Sequence, residues 1–276
     1  MNCGKQFVGG QRLNAFQLWQ EYVEGKQTYH QLALKYGCSI KTIQRKLDVI
    51  KVTNPTDLIK SVVVLMDTTY FGRGVGLMLF KDAYSGTNLH WDYVAHETVA
   101  LYKEGLQILI DKGYIILGLV CDGKRGLINS FAQYPLQICQ FHQIAIVRRY
   151  LTKNPKSLAS KALLEHTLLL TKTDKESFVG GLESWYKQWE TFLNERTAKT
   201  EGKKSRFTHR KLRSAYRSLT TNLPWLFTWY DHLELKIPNT TNAIDGHFSD
   251  LKNKLRNHNG MALKRKIRFI DEFLKA

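Results

Sequence analysis

The stretch "VVVLMDTTYFGR", residues 62–73, decides the fold. Its first five residues are apolar, three of them β-branched, and polar residues follow. That pattern predicts a buried strand over Val62–Met66 that ends at an acid, Asp67. A second run, "YIILGLVCDGKRGL" (114–127), repeats it: an apolar strand that ends at Asp122. Between them "GVGLMLFKDAYSG" (74–86) and "TNLHWDYVAHE" (87–97) read as two more strands, with a turn at Ser85-Gly86. A helix fits Thr98–Lys112, with Leu101, Leu106, Leu109 and Ile110 as its apolar residues, and "PLQICQFH" (135–142) reads as a fifth strand that leads into a helix. Apolar strands mixed with helices predict an α/β sheet buried on both faces.

Two buried strands that each end in Asp raise a chemical question. In an α/β sheet, ligand-binding groups gather at strand ends. Two carboxylates brought together there repel unless a cation lies between them. Oxygen ligands suit Mg²⁺ or Mn²⁺, and a pair of such ions can clamp the attacking and leaving oxygens of a phosphodiester. Capping of the following turn is the plainer role for either acid alone.

Residues 1–55 read as a helix-turn-helix unit. Phe16, Trp19 and Val23 recur at helical spacing, and Gly25 stops the first helix. Thr28 caps a second, with Leu32 and Ala33 inward; Tyr36-Gly37-Cys38 turns, and Ser39 caps a third. Ile40, Ile43, Leu47 and Ile50 make one apolar stripe on it, which leaves Lys41, Thr42, Gln44 and Arg45 outward as candidate DNA contacts. "MNCGKQF" (1–7) looks like one knuckle of a zinc ribbon, but Cys3 stands alone where tetrahedral zinc needs four ligands. Either residues 1–10 are a remnant of a zinc ribbon whose start lies inside a longer reading frame, or Cys3 is incidental, and no zinc is expected.

Residues 146–237 carry helical signals throughout. Phe178, Leu182, Trp185, Trp189 and Phe192 form an amphipathic stripe that suits packing. Arg206, Arg210, Arg213 and Arg217 share one face of a helix expected over 206–220, opposite Leu212, Ala215 and Leu219. Arginines at helical pitch with no acids between them suit a phosphate track. "KTEGKKS" (199–205) reads as an exposed loop, and Trp225 and Trp229 as core. In the last segment, 238–276, "PNTTNAIDGHFSDLK" begins a helix capped by Thr240 or Thr241. There Asp245, Ser249, Lys252 and Arg256 share one face and Ile244, Phe248, Leu251 and Leu255 the other. The final "LKRKIRFIDEFL" is basic at its start.

Charge distribution points to a polyanionic partner. The 276 residues carry a formal net charge of +17. Residues 61–145 are near neutral, with 6 Lys/Arg against 7 Asp/Glu, whereas residues 146–276 hold 26 against 13. A basic excess confined to the flanks favours nucleic acid over a merely solvated surface. The sequence has neither a signal-peptide pattern nor an apolar run long enough to span a bilayer, and its four cysteines are too scattered for a disulfide framework. These features predict a cytoplasmic, nucleoid-associated protein with no membrane partner.

The ordered set "VVVLMDTTYFGR", "GLVCDGKRGL", the Cys-x-x-His of "CQFH" and "TTNAIDGHFSDLK" resembles the signature set of DDE-type insertion-sequence transposases of the Mutator superfamily. The resemblance runs over residues 61–276. It implies an RNase H-like core, a mixed sheet flanked by helices, split by a large all-α insertion. Residues 61–145 would form its first part, 146–237 the insertion and 238–276 the last part. It further implies two Mg²⁺ or Mn²⁺ ions held by Asp67, Asp122 and Asp245, with Cys139 and His142 supporting the site. Lys252 matches the basic residue that follows the third acid in many members, and Arg256 continues its face. Asp245 stands where the family generally has Glu, one methylene longer.

The implied activity is cleavage and strand transfer at the terminal repeats of a mobile element, on double-stranded DNA, by a protein that joins two ends as a homodimer. The alternative is a catalytically inactive or truncated transposase-derived DNA-binding protein. A third option is an RNase H-like nuclease acting on branched DNA.

Overall fold

The computed structural model describes residues 13–48 apart from 24 and 26, then 61–72, 74–197, 205–258 and 260–275. The zinc-ribbon remnant at 1–10, Ile50, the side chain of Phe16 and nearly all of the 199–205 loop lie outside the described residues. By internal packing the chain forms two compact units: one is Leu58–Asp245, and the other combines Met1–Asp57 with Gly246–Ala276.

The larger unit is built on a five-stranded mixed sheet flanked by helices. Strands β1 (Ser61–Tyr70), β2 (Gly76–Asp82) and β3 (Asn88–Val94) precede helix α4 (Val99–Asp111), β4 (Ile115–Cys121), α5 (Arg125–Ser130) and β5 (Leu136–Ile138); the helices before Ser61 belong to the other unit. The sheet order is β3-β2-β1-β4-β5. β2 runs antiparallel to β1 and β3, and β4 runs parallel to β1 and β5. Val62–Met66 are buried on both faces, as their unbroken apolar run requires.

One boundary differs from the sequence reading. β1 does not stop at Asp67 but continues to Tyr70, because its antiparallel ladder with β2 extends through Tyr70↔Gly76. Its parallel ladder with β4 ends earlier, at Leu65↔Val120. Asp67 therefore lies inside a strand but past the carboxyl end of the parallel pairing. Two more steps of that register set it beside Asp122.

Helix α4 has Thr98 as its cap, the hydroxyl accepting from Leu101 N. It lies close against β2 at Gly105, where an added Cβ would overlap the Phe80 ring. After β5 the chain is helical: α6 (Gln140–Leu151), α7 (Leu158–Leu168), α8 (Lys175–Asn194), α9 (Arg210–Leu226) and α10 (Thr228–Asp231), then a single 3-10 turn at Leu233–Leu235. Phe178, Leu182 and Trp185 of α8 are buried, with Trp189, Phe192, Trp225 and Trp229 packed against the same core. Arg206 falls outside the expected helix. It lies in an extended segment where Phe207 bridges Arg196, and its carbonyl accepts from Thr197 N. α9 starts only at Arg210.

The smaller unit contains α1 (Ala15–Val23), α2 (Tyr29–Lys35) and α3 (Ile40–Leu47). Thr28 and Gln31 close a capping box on α2, and Ser39 Oγ accepts from Thr42 N on α3. Gly37 turns between them at φ +58°. Ile43 and Leu47 are buried, but Ile40, expected in the same stripe, is exposed. From the carboxyl end come most of α11 (Asn242–Arg256) and α12 (Leu263–Lys275). The sequence reading set 246–276 with the sheet. Instead they pack with the amino-terminal helices, where Tyr22 meets Phe269 edge-on (5.3 Å) and His258 (4.5 Å).

Candidate metal centre

Three side chains of the larger unit converge. A carboxylate oxygen of Asp67, a ring nitrogen of His142 and a carboxylate oxygen of Asp245 all lie within 4.8 Å of one another, each residue half-buried. Each is delivered by a different element: β1, the first turn of α6 and the first turn of α11.

The two helix starts are fastened together at Cys139 and Thr241. Cys139 Sγ accepts from Thr241 N at 3.4 Å and from Thr241 Oγ1 at 3.3 Å. A backbone bond from Gln140 N to Asn239 O, 3.0 Å, adds a second tie. His142 follows Cys139 by three residues and Asp245 follows Thr241 by four, so each lies one turn into its helix, above the junction. Thr241 does stand at the cap, its carbonyl accepting from Ile244 N and Asp245 N. Its hydroxyl does not bond a helix N–H as a conventional cap would; it reaches Cys139 Sγ and, at 3.3 Å, Asp245 Oδ2.

Asp122 stands beside this group but outside it. Its Oδ1 accepts from Lys124 N at 3.1 Å, across Gly123 at φ +82°, a backbone angle that suits glycine. Lys124 Nζ donates to the carbonyl of Glu97 (2.7 Å), and Tyr102 OH donates to Glu97 Oε1 (3.0 Å). Thr68 Oγ1 lies 2.9 Å from the same Tyr102 hydroxyl, and Thr68 N donates to Asp67 Oδ1 at 2.8 Å. A continuous chain of polar contacts thus runs from Asp122 to Asp67 through the start of α4.

The electrostatics are those of a site short of positive charge. Burial pushes the Asp67 carboxyl up to about 7; His142 and the Thr68 N–H oppose the rise, and Asp245 and Asp122 add to it. Hydrogen bonding with Cys139 raises His142 to about 9 against the effect of burial, helped by the charges of Asp67 and Asp245. Burial alone would raise the Cys139 thiol, but hydrogen bonds from His142 and Thr241 outweigh it and hold the thiol below its ordinary range.

A divalent cation fits the donor set. Ligands at about 2.0–2.2 Å from a metal stand about 3–4.4 Å apart, a spacing the three residues can supply. Among the described residues His142 Nδ1 is buried with no hydrogen-bond partner, an orphaned atom that a water would satisfy, or a cation once the nitrogen is unprotonated. Two carboxylates with one imidazole suit Mn²⁺ better than Mg²⁺, which prefers oxygen alone. Sequence reasoning placed His142 in support of the site, whereas the geometry makes it a direct member. It missed Thr241 as the clasp, Tyr102 and Glu97; only the repeated threonine of "PNTTN" signalled the first.

The remaining predicted residues lie elsewhere. On α3, Lys41 and Arg45 are exposed, Gln44 is half-buried, and Thr42 Oγ1 lies 2.9 Å from Ser39 Oγ at the cap. Arg210 and Arg217 of α9 are exposed. Arg213 is half-buried and held, its Nη1 donating to Leu193 O (2.9 Å) and Asn194 Oδ1 (2.8 Å). Lys252 and Arg256 belong to the smaller unit, as the part of α11 after Asp245 does. Among the described residues no helix is long and apolar enough to cross a membrane.

No protein-family model matches the sequence, and a search of curated proteins finds no relative.

Proposed function

We propose that the chain is a DNA transposase of the DDE type, here Asp-Asp-Asp, built on an RNase H-like core with a helix-turn-helix that binds double-stranded DNA at the element's terminal repeats. The observation that carries this reading is the convergence of Asp67, His142 and Asp245, with Asp122 at the end of the neighbouring parallel strand. The mixed sheet and the run of helices between β5 and Asp245 agree with it.

Bound there, Mn²⁺ or Mg²⁺ would polarise a scissile phosphodiester and the water or 3′-hydroxyl that attacks it. Asp67 and Asp245 would supply anionic ligands and His142 a neutral one. Asp122, adjacent to Asp67, is the carboxylate left to share a second ion. The Cys139–Thr241 clasp keeps the ligands from the two helices at a fixed separation. Joining two ends requires two such sites, hence a homodimer on DNA.

The test is nicking and joining of duplexes taken from the DNA that flanks the coding sequence, with Mn²⁺, Mg²⁺ or chelator. Wild type is expected to nick with Mn²⁺, and Asp67→Asn and Asp122→Asn to lose nicking by at least about a hundredfold. Nicking by the Asn variants at the wild-type rate would overturn the site. One observation favours a second reading, DNA binding without catalysis: Asp122 lies outside the close group. Wild type that binds the flanking duplexes but never nicks them would establish that reading instead.

A further inference from the structure

A groove of about 410 Å³ opens between α8 and α9, far along the chain from the acids. Tyr186, Leu193, Phe207, Arg210, Arg213 and Arg217 are among its lining residues. Arg210, Arg213 and Arg217 recur at i, i+3 and i+7, which places them along one side of α9.

The three arginines do different things. Arg213 is a fixed part of the wall. Besides its two hydrogen bonds to the end of α8, its guanidinium stacks 3.7 Å from the Phe207 ring centre, and Arg196 stacks on that ring at 4.0 Å. Arg210 and Arg217 are exposed, and no ion pair holds either of them among the described residues. Beside them is an aromatic stack. Tyr216 lies 5.1 Å from Tyr186 and 5.3 Å from Trp185, with interplanar angles of 18° and 27°. Tyr186 is held by its hydroxyl, which donates to Glu190 Oε1 at 3.1 Å, so its ring is oriented before any ligand arrives.

We propose that this groove binds a single-stranded stretch of DNA, with an unstacked base against Tyr186 and the adjoining phosphates on Arg210 and Arg217. The proposal rests on the reading of the chain as a DNA transposase and gives its helical region a definite ligand. A duplex presents phosphates on a convex surface and hides the faces of its bases, so it has no use for a ring inside a concavity. A single strand offers both a flat π-face and a flexible backbone. Cationic grooves with ordered rings are how such strands are held, and guanidinium planes such as that of Arg213 also accept bases. Cleavage of the two strands at staggered positions would leave unpaired nucleotides, which supplies such a strand.

The probe is a fluorescently labelled thymidine oligonucleotide of about twelve nucleotides, within the usual site size, compared with a duplex of the same length by anisotropy. Tyr186→Leu, which removes the ring and its stacking on Tyr216, is expected to weaken single-strand binding about tenfold and leave duplex binding unchanged, whereas Tyr186→Phe keeps both. Arg210→Ala and Arg217→Ala are each expected to lower the salt slope for the single strand by about 0.7. Circular-dichroism melting establishes that each variant folds. Single-strand affinity unaffected by Tyr186→Leu overturns the proposal, as does equal loss of single-strand and duplex binding in the arginine variants. Asp67-dependent nicking of flanking duplexes is read separately: nicking without Tyr186-dependent binding sinks the groove and spares the transposase reading. Tyr186-dependent binding without nicking does the reverse.

Discussion

The sulfur of Cys139 accepts two hydrogen bonds from one residue, Thr241, through its backbone N–H and its hydroxyl, across 102 residues of sequence. Without the sulfur the buried Thr241 N–H is stranded, whereas the hydroxyl keeps Asp245 Oδ2 as an acceptor at 3.3 Å. Cys139→Ala is expected to destabilise the protein by about 1–3 kcal/mol, the usual cost of unsatisfied buried polar groups. Cys139→Ser keeps an acceptor and is expected to cost less. Chemical denaturation of the two variants checks the order; equal losses would assign the cost to the cavity alone.

An imidazole among the donors of the proposed centre would bias its choice of metal. With His142 as a ligand, Mn²⁺ is favoured over Mg²⁺, and His142→Ala leaves two carboxylates that discriminate less between them. Mn²⁺ affinity, followed by electron paramagnetic resonance of the free ion, is expected to fall at least about tenfold in that variant, while Mg²⁺ affinity changes little. An unchanged Mn²⁺ affinity would remove His142 from the site.

Gly105 packs on Phe80 where a Cβ would overlap the ring. In an exposed helix interior Gly→Ala gains about 0.8–1 kcal/mol, but overpacking costs about 1–3 kcal/mol. The overlap is with a fully buried ring in β2, so the loss wins. Gly105→Ala is expected to lower the Tm, and Phe80→Leu in the same chain to restore part of it. A Gly105→Ala chain more stable than wild type would refute the close approach.

Much of this was legible beforehand, because local physics decides it. Val62–Met66 could only be a buried strand, and Thr28 and Ser39 cap the helices that follow them. Contacts between distant segments were not legible. The packing of Tyr22 on Phe269 and His258 leaves no periodic trace in either segment, so the carboxyl-terminal helix was read with the sheet. Arg206 fitted a helical stripe as well as its neighbours did, but the bridge of Phe207 to Arg196 holds it extended. Of the candidate site, Asp122 follows the end of its strand as its apolar run suggests, but Asp67 lies inside β1, and the Cys139–Thr241 clasp joins residues whose types advertise nothing.

His258 provides a pH test of the smaller unit. It is buried among Tyr22, Tyr29 and Phe269, with Nε2 unpartnered, and it lines a groove with His30 and Arg265. Burial lowers its pKa below 6.5. The unfolded chain therefore takes up the proton at a higher pH than the folded one. Stability from the neutral ring is full above about 6.5 and is lost as pH falls towards the folded value. Amide protection factors in α1 and α12, which correct for the intrinsic pH dependence of exchange, are expected to fall as pH drops below about 6.5 in wild type, and His258→Leu to flatten that dependence. A variant with the wild-type slope would move the effect to another group.

The last question is the methylene that separates Asp245 from the Glu its resemblance leads one to expect. A shorter acid would reach a bound metal only if its helix started closer, and here the helix does start close to its neighbours. Thr241 is bonded to Cys139, Gln140 N to Asn239 O, and the Asp245 carboxylate already lies within 4.8 Å of both partner ligands while accepting from Thr241 Oγ1. A Glu at this position would have to fold its extra methylene back, or push the helix away against two fastenings. Asp245→Glu is therefore expected to weaken Mn²⁺ binding about tenfold, and Asp245→Asn more severely because charge is lost as well. Thr241→Val, which removes the hydroxyl's bonds to Cys139 and Asp245 and leaves the two backbone ties, is expected to lessen the penalty of the Glu substitution, so that the two changes together cost less than their sum. Calorimetric Mn²⁺ titration of the four proteins measures this coupling. Tighter binding by Asp245→Glu alone would mean that the helix start stands further from the acid on β1 than the clasp implies.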